Sequence, residues 1–86
     1  MIAQLVGKRW ALRFVPRLHV DGRCDAPDVR GKQILIANRL RGKRQLDVLI
    51  HEMLHACNWQ IDESYISQMA SDIAQVLWRL GYRRDE

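Results

Sequence analysis

The chain has 86 residues, 48% of them hydrophobic and 28% charged, and a formal net charge of +4. That balance excludes a disordered segment, and the length allows one domain, residues 1–86, with a small core. The apolar start, residues 1–6, is too short to span a membrane, and two cysteines make no disulfide framework, so a reduced, cytoplasmic protein is expected.

Residues 1–7 form a short leader with no assignable structure. Residues 9–15 mix aromatic and branched side chains and end at Pro16, which reads as a strand, in keeping with an edge position. Leu18-His19-Val20 continues it or forms the next short strand. Asp21-Gly22 signals a turn, and the loop extends through Arg30-Gly31. Residues 33–37, Gln-Ile-Leu-Ile-Ala, are an apolar run of strand length, placed to pair with the first strand as a hairpin across residues 21–31. Residues 38–43 are a basic link. Helical periodicity runs from about Arg44 to about Asn58. A second helix begins at Asp62, a good N-cap, and reaches about Leu80 before Gly81. Strands followed by helices predict an α+β fold, with a small antiparallel sheet of two or three strands on two antiparallel helices.

The basic residues gather at Arg39, Arg41, Lys43 and Arg44, and again at Arg79, Arg83 and Arg84. Such runs are usually a solvated face. The alternative is a surface for nucleic acid or an acidic protein.

The chemistry is concentrated at His51-Glu52-Met53-Leu54-His55. With His51 at zero on a helical wheel, His55 falls at about 40° and Glu52 at about 100°. Leu46, Leu49, Ile50, Met53, Leu54, Ala56 and Cys57 fall between about 140° and 300°. The wheel thus separates a metal face from a core face. Two imidazoles one turn apart suit a single zinc ion, with Glu52 placed as a base for water. Cys57 points into the apolar arc and reads as a buried small hydrophobe. Pairing between Cys24 and Cys57 stays open.

A catalytic zinc takes three protein ligands and keeps one open position. The candidates for the third are His19, Cys24, Asp47, Asp62, Glu63 and Asp72. Asp47, one turn before His51, is better placed to hydrogen-bond a histidine ring than to bind metal. Glu63 stands in the first turn of the second helix, near Ser67, Ala70 and Ala74, which are small enough for close helix approach. A short connection makes the helices antiparallel, which brings that turn beside His55 and favours Glu63. Asp62 is the runner-up, already accounted for as a cap. Asp72 lies too far along the helix. His19 suits a substrate contact better.

The stretch from Val48 to Cys57, with uncharged residues around the two histidines, resembles the zincin metallopeptidases. A glutamate on the following helix resembles the gluzincin branch, and the spacing Glu63-x-x-Ile66-x-x-Met69-Ala70 is similar to ImmA/IrrE-type peptidases. The compact size is similar to SprT-like domains. The resemblance covers residues 33–80 and lacks a metzincin third histidine, the longer gluzincin pattern and a second subdomain. It implies zinc bound by His51, His55 and Glu63, Glu52 as general base, and a peptide or protein substrate lying along residues 33–37 as the edge strand. His19, Tyr65 and Tyr82 are candidates for the oxyanion donor. A regulatory protein as substrate is implied by the ImmA-like resemblance alone. The competing expectation is a non-catalytic zinc module whose basic surface binds a protein or nucleic acid.

Overall fold

The computed structural model describes residues 1–84. Its elements are β1 (Ile2–Leu5), β2 (Lys8–Val15), β3 (Gly22–Cys24), β4 (Gln33–Ala37), α1 (Gly42–Cys57) and α2 (Glu63–Arg79). The fold is α+β, as the element order predicts. The sheet differs from expectation. It has four strands in the order β1-β2-β4-β3 and is mixed, with β2 and β4 parallel.

Two local causes explain the difference. The leader is a strand because Val6 and Gly7 hold φ of 49° and 73° and fold β1 back onto β2, pairing Leu5 with Lys8. Two left-handed residues are the geometry of a tight type I′ hairpin. Branched Val6 disguises it, because valine rarely accepts a positive φ. The second cause lies in the segment taken for a loop. Gly22–Cys24 is a strand and forms the antiparallel hairpin with β4, with Arg23 opposite Leu35. The strand of residues 9–15 is therefore a parallel neighbour of β4 and not its hairpin partner. Leu18-His19-Val20 is irregular.

The β3–β4 loop is tied down at Asp25. Its carboxylate accepts from Gln33 N at 2.9 Å, and its carbonyl accepts from the indole of fully buried Trp10 at 3.0 Å. Trp10, Leu12, Ile34 and Ile36 make the apolar face of the sheet, and Val48 and Ala56 of α1 lie on it. This burial supplies most of the drive to fold.

The helices pack antiparallel. Glu63 meets His51 and His55, while Ala70 and Ala74, both fully buried, pack on Ile50 one to two turns earlier in α1. Small side chains on α2 allow that close approach. Among the described residues α2 packs on α1 and on no strand. Asp62 caps α2, accepting from Ser64 N at 3.2 Å. Among the described residues no helix is long and apolar enough to cross a membrane. Fully buried Ile66 offers a measure of packing. Ile66→Val is expected to lower stability by about 1 kcal/mol in urea unfolding.

Candidate metal centre

Helix α1 presents two rows toward the rest of the protein. Ile50 faces α2, while Val48, Glu52 and Ala56 face the sheet, and all four are buried. Glu52 therefore sits within the core row, which corrects the clean separation of metal face and core face drawn from the wheel. The residue as a whole is only 8% exposed. Burial pushes its pKa up, partly offset by the nearby positions of His51 and His55 and reinforced by Glu63.

The space for Glu52 comes from β3. An added Cβ on Gly22 would lie 2.8 Å from Val48 Cγ1, 2.9 Å from Glu52 Cγ and 3.0 Å from Glu52 Oε2. Only a residue without a side chain fits there. Gly22 is thus a site residue, although its Asp-Gly context in the sequence signals a turn.

Beside Glu52, three side chains converge. His51 Nε2 and His55 Nε2 are 3.2 Å apart, and Glu63 reaches them with its two carboxylate oxygens at 2.9 and 2.6 Å. Tetrahedral zinc with bonds of about 2.0–2.1 Å has ligand-to-ligand edges of about 3.3 Å, close to the histidine spacing. The donor set, two imidazole nitrogens and one carboxylate, is also one that zinc takes in hydrolases. The residues present fit the ion.

Around them opens a cleft of about 480 Å³ lined by Gly22, Arg23, Cys24, Trp59 and the four residues His51, Glu52, His55 and Glu63. On the Asp21 side it adjoins a second hollow of about 350 Å³ lined by Arg44, Asp47 and Ser67. Trp59 stands edge-on to His55 with ring centres 6.2 Å apart. It was not singled out in the sequence, because it falls in the connection between helices.

The free edge beside this cleft is β3. Residues 33–37 lie between β2 and β3, so they offer no edge to a peptide, contrary to expectation. Asp21 O accepts from Ala37 N and Asp25 N donates to Gln33 O. Antiparallel pairing alternates, so Arg23 shares that inward pairing, and the backbone groups of Gly22 and Cys24 point to the open edge.

The remaining candidates fall elsewhere. Asp47 lines the second hollow but makes no hydrogen bond to either histidine ring among the described residues. His19 and Tyr65 are exposed and line neither hollow. Tyr82 lies in a different cleft. Asp62 is spent on its cap, and Asp72 accepts from Gln68. Two cations of the basic cluster, Arg39 and Arg44, both hold Asp21, which depresses its carboxyl pKa, with Arg44 the stronger influence. That pairing removes part of the charge a nucleic acid would use.

Both cysteines are free thiols. Cys57, the last residue of α1, is exposed and not buried. Cys24 is half-buried, and burial first, then the Glu52 charge, pushes its pKa up to about 12. From an ordinary value of 9.0, its thiolate fraction at pH 8 falls about a thousandfold. Iodoacetamide at pH 8 is therefore expected to label Cys57 and leave Cys24 intact, read by peptide mass spectrometry.

Compared with protein-family models, curated proteins and solved structures, the chain matches none of them.

Proposed function

We propose that the chain is a zinc-dependent peptidase of the zincin type. The observation that carries this reading is the convergence of His51, His55 and Glu63 beside a buried carboxylate, Glu52. When bound, zinc supplies Lewis acidity, which acidifies a water and polarises a carbonyl. The residues of the chain do the rest. Glu52 takes the proton of the attacking water and hands it to the leaving nitrogen. Its raised pKa suits both halves of that transfer. The outward backbone groups of Gly22 and Cys24 align an extended peptide on the edge of β3.

Glu52 also favours a peptidase over a non-catalytic zinc module. A purely structural site does not need a second carboxyl group, that of Glu52, buried at a desolvation cost beside the ligands. The substrate under this reading is a peptide or an unfolded protein segment able to enter an open cleft.

The test is zinc affinity, by competition with a chelating dye, together with cleavage of a peptide library. Wild type is expected to bind one zinc per chain and to cleave. Glu63→Ala is expected to weaken zinc binding about 100-fold. An unchanged affinity in that variant would remove Glu63 from the ligand set. A zinc-loaded wild type inert toward the whole library would overturn the peptidase reading.

A further inference from the structure

A second cleft lies on the far side of α1 and shares no lining residue with the cleft at His51. It exists because, among the described elements, α2 packs on α1 and on no strand, which leaves part of the sheet without a helix over it. Leu12 and Phe14 of β2 form its floor, Leu46 and Leu49 of α1 one wall, and Trp78 and Tyr82 the other. Its volume is about 540 Å³, within the range of small-molecule sites.

The mouth of this apolar cleft is cationic. Arg83 stacks on Trp78 at 3.3 Å from the ring centre, and Arg84 stacks on Phe14 at 3.8 Å. Stacking holds each guanidinium flat and leaves its in-plane donors at the edge. Arg83 spends one terminal nitrogen on the carbonyls of Trp78 and Tyr82. Among the described residues neither arginine has a carboxylate partner. Two cations stacked at the rim of an apolar chamber match a ligand with an aliphatic body and one anionic head.

We propose that this cleft binds a medium-chain fatty acid, its chain between Leu46, Leu49 and Trp78 and its carboxylate at Arg83 and Arg84. The site is independent of the metal centre and does not rest on the peptidase reading.

The test is calorimetric titration of the full chain with octanoate, decanoate and dodecanoate, below their aggregation limits, with dodecanol as the neutral control. Saturable binding of one molecule per chain is expected. Each added methylene should tighten binding about fourfold until the cleft is full. Dodecanoate should bind at least about tenfold more tightly than dodecanol. The double variant Arg83→Ala/Arg84→Ala alters exposed side chains, so it should stay folded by circular dichroism. It should lose that tenfold preference and keep its affinity for dodecanol. Failure of any acid to saturate would overturn the proposal, and so would equal affinity for acid and alcohol. A concentration-dependent dimer that excludes dodecanoate would assign the cleft to a second copy of the chain instead.

Discussion

Glu52→Gln is expected to abolish peptide cleavage, by a factor of about 10²–10⁴, while leaving zinc affinity within about threefold of wild type. The substitution keeps the shape of a buried side chain and removes only its ability to take a proton. Shape matters here, because the carbons of Glu52 pack beside Gly22 and Val48 in the row facing the sheet. A smaller residue would open a cavity and confuse lost chemistry with lost packing. Turnover of the best library peptide, measured with zinc content on the same sample, separates the two. A glutamine variant that cleaves at the wild-type rate would show that some other group moves the proton.

Gly22→Ala is expected to damage the site from the opposite side. The new methyl group would press on Val48 and Glu52 at 2.8–3.0 Å, closer than carbon contacts allow. Side chains would have to move, at a cost of about 1–3 kcal/mol in stability. Glu52 is one of the two side chains in the way, so turnover should fall about 100-fold as the base leaves its position. Gly31→Ala provides the comparison. Gly31 has φ of 66° and open space around its Cβ position. That variant should lose about 1 kcal/mol through backbone strain and keep full turnover. Equal turnover for both variants would mean that Gly22 does not set the position of Glu52.

The strongest local signals in the sequence concern helices. The i, i+4 histidines, the Asp62 cap and the small residues of α2 each act within one or two turns. They were enough to order the candidates for the group beside His55, and the structure brings Glu63 there. The sheet was less legible because its pairings depend on distant residues and on unusual turns. Val6 conceals a hairpin. Gly22 reads as a turn residue but serves as the thin point of an edge strand, a role visible only once Glu52 is placed opposite it. Buried Glu52 shows a related limit of the wheel. Which apolar arc faces the sheet depends on where the sheet lies, and the wheel holds no information about that. Trp59 offers no periodic pattern, since it stands outside both helices.

The attachment of α2 has one more consequence. Among the described elements its one neighbour is α1, and under the proposed reading two ligands would come from one helix and the third from the other. The centre then acts as a clasp. Zinc at 100 times its dissociation constant would add about 2.7 kcal/mol to the folded state, delivered at the joint between the helices. Metal supply would govern more than the chemistry, because it would also set how often the two helices part.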